Sequence, residues 1–378
     1  MRVTWDIFCR VIDNFGDIGV TWRLAKQLQQ EHDVAVRLWV DDLTSFKAIN
    51  PAVDTTVPRQ QVAGVEVYLW PETGVAQLAG DSAAVVIEAF ACQLPQDYIA
   101  LMRKRNVLWL NLEYLTAEPW AAECHRLPSM QGAGLQKYFF FPGFTETTGG
   151  VLREDDLLAR RDAFLASNHA RAEYLAELGV QQQPSERLIS LFAYANTALP
   201  SFLTALSQDS QTNRLLVLPG VLQRATAAWL GEESLATGQE YRCDNLIVQV
   251  LPYIAQEKFD ALLWCCDLNC VRGEDSFVRA QWAAKPFLWH IYPQDDAAHL
   301  DKLGAFLTLY SDLLGDNTQQ ALEGLYLAWN HGLDMTQAWQ HFVVHEHALQ
   351  SHARCWSAQQ NKHADLATKL VHFYQDWL

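Results

Sequence analysis

The sequence predicts two α/β domains in series, each built on a largely parallel sheet covered by helices. In the first half of the chain, short apolar stretches typical of buried strands alternate with helix-like stretches. A polar stretch at residues 181–184 then predicts a linker, and the same alternation restarts after it. The length of 378 residues is sufficient for two domains of ordinary size.

In the first domain, residues 5–12 predict a buried strand and residues 20–28 a helix, because Val20, Leu24 and Leu28 share one helical face. A long charged helix is predicted over residues 153–178, with Gly179 as its C-cap. The other predicted elements are strands at residues 34–40, 65–70, 83–90 and 107–112, and a helix at 96–105.

In the second domain, apolar stretches predict strands at residues 188–194, 215–219, 246–251, 267–271 and 287–291. Helices are expected between them at residues 199–208, 226–231, 256–265 and 277–282. From residue 312 to the end the pattern is mostly helical.

The excess of acidic over basic residues limits the kinds of molecule that the chain is expected to bind. The chain has 28 Lys and Arg against 44 Asp and Glu, a net charge of −16, which argues against general affinity for nucleic acid or an anionic membrane. Neither a signal peptide nor an apolar run long enough for a transmembrane helix is visible. Its eight cysteines form no C-x-x-C pair, so we expect buried free thiols in a reducing cytoplasm.

The turn after the first strand, residues 13–19, is the most informative motif. It carries Asp13 and Asp17 around Gly16, and it lies at the carboxyl end of a strand, where open α/β sheets bind ligands. It lacks the G-x-G-x-x-G pattern, and two carboxylates would repel a pyrophosphate but suit a cation or a proton to be removed. The alternative is an Asx-turn and a helix N-cap, which would need only one carboxylate.

A second candidate site is residues 272–276, which again join a strand to a helix. A helix N-terminus binds phosphate, to which Ser276 can donate and Arg272 adds a permanent positive charge. Glu274 and Asp275 would instead hold sugar hydroxyls or a basic acceptor. The alternative here is an ordinary acidic N-cap.

Aromatic residues supply a third candidate. Phe192 would stack on a base and Tyr194 would donate to a phosphate, although core packing explains both residues equally well. Gln256 and Phe259 lie at a strand-to-helix transition and can face a ligand in the same way.

Other motifs are not supported. His345 and His347 are two residues apart in a helix-like stretch and therefore point to different faces, whereas helical metal sites prefer a spacing of four. A solvated helix face is the better interpretation, and the sequence contains neither a Walker A loop nor a G-x-S-x-G elbow.

Four blocks together resemble the EarP family, the bacterial protein-arginine rhamnosyltransferases of elongation factor P. They are residues 12–20, 109–115, 136–144 and 272–276, and they occur in the family's order over nearly the whole chain. The resemblance implies a GT-B fold, with two Rossmann-like domains facing each other across a cleft. Residues 1–182 would bind the acceptor and 183–355 the nucleotide sugar, and a C-terminal helix within 356–378 would cross back to the first domain.

The resemblance also implies the reaction. The enzyme would be inverting and metal-independent, moving rhamnose from dTDP-β-L-rhamnose to one arginine of elongation factor P, which activates that factor for the rescue of stalled translation. The implied catalytic residues are Asp13, Asp17 and Glu274. The implied donor-binding residues are Asn14, Phe15, Gly19, Phe192, Tyr194, Gln256, Phe259, Arg272, Gly273, Asp275 and Ser276.

The chemistry agrees with the residues. Guanidinium is a poor nucleophile because it stays protonated, so an enzyme must bind it with carboxylates and help to remove a proton. We expect Asp17 to be the base, Asp13 to orient the guanidinium, and Glu274 to hold the sugar or complete the acidic pocket. Two alternatives stay open: a GT-B enzyme with another acceptor, and a non-catalytic module that binds elongation factor P.

Overall fold

The computed structural model describes residues 2–13, 15–294 and 296–378. It divides the chain into two compact units. Unit 1 contains the residues up to Asp155 together with Lys362–Leu378, and unit 2 is Asp156–Asn361.

Unit 1 is built on an eight-stranded sheet in the order β3-β4-β2-β1-β5-β6-β8-β7. All neighbours are parallel except the antiparallel outer pairs β3–β4 and β7–β8. The strands are β1 (Thr4–Cys9), β2 (Ala35–Val40), β3 (Arg59–Val62), β4 (Val65–Leu69), β5 (Val85–Ala89), β6 (Leu108–Leu112), β7 (Pro128–Met130) and β8 (Gln136–Phe140). The helices are α1 (Gly16–Glu31), α2 (Leu43–Ile49), α3 (Val75–Ala79), α4 (Gln96–Met102), α5 (Pro119–Cys124) and α15 (Leu366–Trp377).

Unit 2 is built on a six-stranded sheet in the order β11-β12-β10-β9-β13-β14, in which only β11 is antiparallel to its neighbour. The strands are β9 (Arg187–Leu191), β10 (Asn213–Val217), β11 (Glu240–Cys243), β12 (Leu246–Val250), β13 (Leu268–Arg272) and β14 (Phe287–His290). The helices are α6 (Leu157–Ala166), α7 (Asn168–Glu177), α8 (Leu199–Ser207), α9 (Val221–Leu230), α10 (Gln256–Cys265), α11 (Asp275–Trp282), α12 (Ala298–Ser311), α13 (Asp316–Asn330) and α14 (Thr336–Gln360).

The unit boundaries differ from those expected from the sequence, which lay at 182/183 and 355/356. Helices α6 and α7 belong to unit 2, where Tyr174 donates to the carbonyl of Lys258 at 2.7 Å and Arg171 donates to that of Cys265 at 2.9 Å. The chain therefore changes unit before these helices, not at the polar stretch that follows them. Helix α15 belongs to unit 1, where Tyr374 contacts Trp5 edge-on.

The single helix predicted over residues 153–178 is wrong. Ser167 has extended backbone angles, and its hydroxyl accepts a hydrogen bond from the amide of Ala170 at 3.1 Å. A serine used in this way caps a new helix rather than continuing the old one, so α6 ends before it and α7 begins after it. The C-cap of α7 is Leu178 rather than the predicted Gly179, which follows it with a φ of +73°, the left-handed conformation common just after a helix C-cap.

Both sheets have a switch point, where the direction of strand addition reverses. In unit 1 the chain adds β2 on one side of β1 and later β5 on the other. In unit 2 it adds β10 on one side of β9 and later β13 on the other. Ligands of open α/β sheets bind beyond the carboxyl ends of the strands at such points.

The central strands are buried on both faces, as expected for parallel sheets between helices. Aromatic stacking fills both cores, for example Phe8 on Trp39 in unit 1 and Phe277 on Trp289 in unit 2. All eight cysteines are free thiols and most are shielded from solvent, as predicted, although Cys355 is exposed. Across the described ranges, we find no helix that is both long and apolar enough to span a membrane.

Candidate active site

The first strand-to-helix turn of unit 1 brings Asp13 against the start of α1. The amide of Gly16 donates to the carbonyl of Asp13 at 2.6 Å. A Cβ atom at position 16 would lie 2.7 Å from Oδ2 of Asp13, so a side chain at this position would displace that carboxylate. Asn14, which the sequence assigns to donor binding, lies outside the described residues.

Asp17 occupies the first turn of α1 and is buried, with 1% of its surface exposed. Its Oδ2 accepts hydrogen bonds from the amides of Ile12 at 2.8 Å and Asp13 at 2.9 Å. Its Oδ1 accepts from the hydroxyl of Tyr114 at 2.9 Å. Three donors therefore compensate the burial of this carboxylate and fix its orientation.

Tyr114 comes from the segment that follows β6, two strands away from β1 in the sheet. Its ring stacks on that of Phe90, which follows β5, with centroids 4.2 Å apart and an interplanar angle of 10°. The ends of β1, β5 and β6 thus meet at Asp17, beside the switch point of unit 1.

Two predicted donor-binding residues lie in the same turn. Phe15 is half-buried and immediately precedes α1. Gly19 is buried within the helix, and its amide donates to the carbonyl of Phe15 at 2.9 Å. The turn therefore presents Asp13 and Phe15 outside the helix and Asp17 inside its first turn.

In unit 2 the predicted cation is held on aromatic rings. The guanidinium carbon of Arg272 lies 4.3 Å from the ring centroid of Phe192 and 5.0 Å from that of Tyr194. Arg272 ends β13 and the two rings follow β9, its neighbour in the sheet. Among the described residues, no acidic side chain is ion-paired with Arg272. Cation–π contact therefore holds a positive charge at the switch point of unit 2.

The turn that follows Arg272 explains the residues after it. Gly273 has a φ of +58°, a conformation that favours glycine, and its carbonyl accepts from Trp289 Nε1 at 2.7 Å. Glu274 is half-buried and stands at the N-cap position of α11. The hydroxyl of Ser276 accepts from the amide of Arg272 at 3.0 Å and donates to its carbonyl. A phosphate would have to compete with that carbonyl for the hydroxyl hydrogen.

The remaining predicted residues of unit 2 surround this turn. Gln256 donates to Oδ2 of Asp275 at 3.0 Å, which joins the starts of α10 and α11. Phe259 is buried, and its ring meets that of Phe192 at a centroid distance of 6.0 Å. The structure thus brings all the predicted residues of unit 2 into one cluster.

His290 and Tyr292 belong to the same cluster but were missed by sequence reasoning. Both rings meet that of Tyr194 edge-on, at centroid distances of 5.3 and 5.4 Å. His290 pairs with Arg272 in the sheet and is buried, and its Nδ1 has no hydrogen-bond partner in the structure.

Burial lowers the pKa of His290 to about 4, with Arg272 and then His299 as the further causes. The ring is therefore neutral near pH 7. A histidine at the end of a strand beside β13 is the signal that could have revealed it.

The stretch from His345 to His347 lies on α14 and contacts other elements of unit 2. Glu346 forms an ion pair with buried Arg187 at 2.8 Å, and His345 bonds to the hydroxyl of Thr318. This helix face is therefore only partly solvated, contrary to expectation. Over residues 2–13, 15–294 and 296–378, no group of three or more His, Cys, Asp or Glu could hold a metal ion.

Comparisons with known proteins identify relatives of the whole chain. A family model described as "Elongation-Factor P (EF-P) rhamnosyltransferase EarP" matches residues 5–375. A protein-arginine rhamnosyltransferase of Pseudomonas putida is 55% identical over 380 residues, which cover 100% of both chains.

Solved structures give the fold. One, from a study of EarP-mediated arginine glycosylation of translation elongation factor EF-P, is 43% identical and has a TM-score of 0.74, with 100% of both chains covered. MurG of Acinetobacter baumannii is only 14% identical, but its TM-score of 0.51 over 100% of both chains shows a shared fold. The predicted α/β fold of GT-B type is therefore confirmed.

Proposed function

The chain belongs to the EarP family of elongation factor P rhamnosyltransferases, and from this premise we propose its reaction. It transfers a rhamnosyl group from dTDP-β-L-rhamnose to one arginine side chain of elongation factor P. We place the reaction in the cytoplasm, where elongation factor P takes part in translation, and its product activates that factor for the rescue of stalled translation.

We assign donor binding to the cluster of unit 2. The guanidinium of Arg272 lies on two rings and is not ion-paired with any described carboxylate, so it is available to the diphosphate of the donor. Phe192, Tyr194 and Phe259 offer aromatic surfaces for the thymine base and the ribose. Gln256, Gly273, Asp275 and Ser276 complete the assigned donor site through the turn they build. In unit 1, Asn14, Phe15 and Gly19 are assigned to the part of the turn that approaches the donor.

We assign the acceptor arginine to the acidic turn of unit 1. Asp13 and Asp17 supply negative charge at the switch point, which suits a guanidinium and opposes a diphosphate. Asp17 is the proposed base, Asp13 orients the guanidinium, and Glu274 holds the sugar. Burial of Asp17 strengthens its interaction with a cation, since the local dielectric is lower than in water.

In the proposed transfer step, every bond formed is matched by a bond broken, and the total charge is unchanged. One guanidinium nitrogen gives a proton to Asp17 and forms a bond to C1 of the sugar, while the bond from C1 to the diphosphate oxygen breaks. Attack from the face opposite the leaving group inverts the β-linked donor to an α-rhamnosyl arginine. The product keeps the guanidinium charge, Asp17 leaves the step protonated, and dTDP leaves with one more negative charge, which Arg272 stabilises.

The observation that carries this proposal is the division of charge between the two switch points. One holds a buried carboxylate with three donors, and the other holds a guanidinium stacked on aromatic rings. We propose that Arg272 and the amides at the start of α11 stabilise the leaving group without a metal ion.

The test is intact-mass measurement of elongation factor P after incubation with the enzyme and dTDP-rhamnose. The expected result is a gain of one deoxyhexosyl group on the wild-type acceptor and no gain on its Arg→Lys variant, because lysine lacks the planar fork of guanidinium. Equal modification of the lysine variant would contradict the assignment of the acidic turn to guanidinium.

Two further arms separate the alternatives. A peptide that copies the acceptor loop should be a poor substrate, because a folded partner supplies binding energy that positions the arginine. Binding of elongation factor P without any mass gain would show a non-catalytic module. Turnover of dTDP-rhamnose that does not depend on elongation factor P would show a different acceptor.

A further inference from the structure

We propose that Tyr114 is a positioning residue that acts through Asp17. The inference rests on the proposed function, because it specifies how the base of that reaction is held. It concerns a residue to which neither the turn motif nor the assigned site gives a role.

Hydrogen bonds from the protein occupy most of the acceptor positions on the carboxylate of Asp17. A carboxylate offers about four acceptor positions, two on each oxygen. The amides of Ile12 and Asp13 take those on Oδ2, at 2.8 and 2.9 Å. The hydroxyl of Tyr114 takes one on Oδ1 at 2.9 Å, which leaves one position for the arginine proton. Tyr114 therefore decides which direction of Asp17 is open to the acceptor.

A stacking contact with Phe90 holds the ring of Tyr114. The two ring centroids are 4.2 Å apart, and Phe90 has a φ of +55°. A left-handed backbone is a genuine outlier for a bulky side chain, and such strain persists only where the surroundings impose it. Here the amide of Phe90 donates to the carbonyl of Leu112 at 2.7 Å, and that of the next residue, Ala91, to the side chain of Asn111 at 3.2 Å.

The stacking contact between Phe90 and Tyr114 links the ends of β1, β5 and β6. The strained segment after β5 is tied to β6, and it places a ring under the tyrosine that follows β6. That tyrosine reaches the carboxylate that follows β1, 97 positions earlier in the chain. The strained backbone at Phe90 thus places the ring that fixes the position of the Tyr114 hydroxyl.

The test compares Tyr114→Phe with the matched control Tyr138→Phe. Both remove one phenol hydroxyl from unit 1, but the hydroxyl of Tyr138 donates to Gln136. For Tyr114→Phe we expect kcat to fall about 10- to 100-fold, the effect of a misplaced catalytic group. The acceptor KM and the dTDP affinity should stay within about twofold of wild type, and the control should retain wild-type kcat.

A double variant tests whether Tyr114 acts through Asp17. In an Asp17→Asn background, Tyr114→Phe should cost no further activity, because the carboxylate it positions is gone. Phe90→Leu removes the stacked ring and should reproduce the loss in kcat to a smaller extent, so the test does not depend on a single variant.

The outcomes separate this inference from the proposed function. Wild-type enzyme that fails to modify elongation factor P overturns both. Active wild type with an unchanged Tyr114→Phe overturns the inference alone. A raised acceptor KM at unchanged kcat would instead make Tyr114 a docking contact, and an equal loss in the Asp17→Asn background would show that it acts independently of Asp17.

Discussion

The turn at residues 13–17 and the turn at residues 272–276 each follow a strand beside the switch point of its sheet, but the charged side chains in the two turns are held in opposite ways. In unit 1 the carboxylate of Asp17 is buried and receives three hydrogen bonds. In unit 2 the guanidinium of Arg272 lies over the rings of Phe192 and Tyr194 and is not ion-paired with any described carboxylate.

This difference indicates how one fold supplies two chemical environments. A carboxylate that must accept one proton in one direction is fixed by donors on its other positions. A cation that must meet a mobile diphosphate keeps its N–H groups available, because aromatic faces hold its plane without using them.

The largest effect is expected for Asp17→Asn, whose turnover should fall about 10²- to 10⁴-fold, the usual contribution of a general base. The variant should fold, because the amide oxygen still accepts from the amides of Ile12 and Asp13 while the amide nitrogen faces the hydroxyl of Tyr114. Initial rates by mass spectrometry measure the loss. Retention of more than about a tenth of wild-type turnover would reject Asp17 as the base.

Arg272→Ala should weaken dTDP binding about 10- to 150-fold, since hydrogen bonds to charged groups contribute roughly 1.5–3 kcal/mol. Arg272→Lys is the matched control, because it keeps the charge but loses the planar fork and the stacked plane. Calorimetric titration should give it an intermediate affinity. If lysine matched wild type, charge alone would explain the site and the aromatic rings would be incidental.

A pH effect should reveal the apolar surroundings of the Arg272 cluster. The pKa of His290 is lowered to about 4 in the folded protein, whereas the unfolded chain protonates near 6.5. The unfolded state therefore binds more protons between these values, and stability falls as the pH drops through this window. Between pH 7 and 4.5, wild type should lose roughly 2–3 kcal/mol more free energy of unfolding than His290→Asn.

Denaturant unfolding of both proteins at several pH values checks this, and the comparison cancels groups that titrate alike in both. Parallel pH dependence in the two proteins would mean that His290 has the same pKa in the folded and unfolded states, which would contradict a desolvated cluster.

The smallest effect is expected from chelation. If Arg272 and the helix amides stabilise the leaving group, EDTA should leave the rate of rhamnosyl transfer unchanged. Loss of activity in EDTA that magnesium restores would show that a metal shares this role.

The regular parts of the fold were predictable because they repeat one pattern. Apolar stretches that precede polar turns located β1, β5, β6, β9 and β13, and the alternation of strands with helices predicted the parallel central pairing, although not the strand order. Short edge strands such as β3, β7 and β11 were missed, because they have only three or four residues, are partly exposed and lack a continuous apolar run. The break at Ser167 was missed because a serine is compatible with either a helix or a cap.

The sequence could predict which residues form the candidate site, but not the contacts that these residues make with distant parts of the chain. Asp17 and Arg272 were found because each lies on a turn after a strand. The hydrogen bond from Tyr114 and the ring contacts of His290 join residues that are distant in sequence, so the position of His290 at a strand end could mark it as a candidate but could not give its partners. The same limit applies to Ser276, whose hydroxyl was assigned to phosphate but closes its own turn.

The most direct test of the central claim is the affinity of Asp17→Asn for dTDP, measured by calorimetric titration beside Arg272→Ala. Asp17→Asn should bind dTDP within about twofold of wild type even though its turnover is lost, because donor binding is assigned to unit 2. If the dTDP affinity of Asp17→Asn fell as much as that of Arg272→Ala, the two clusters would not divide the reaction between them.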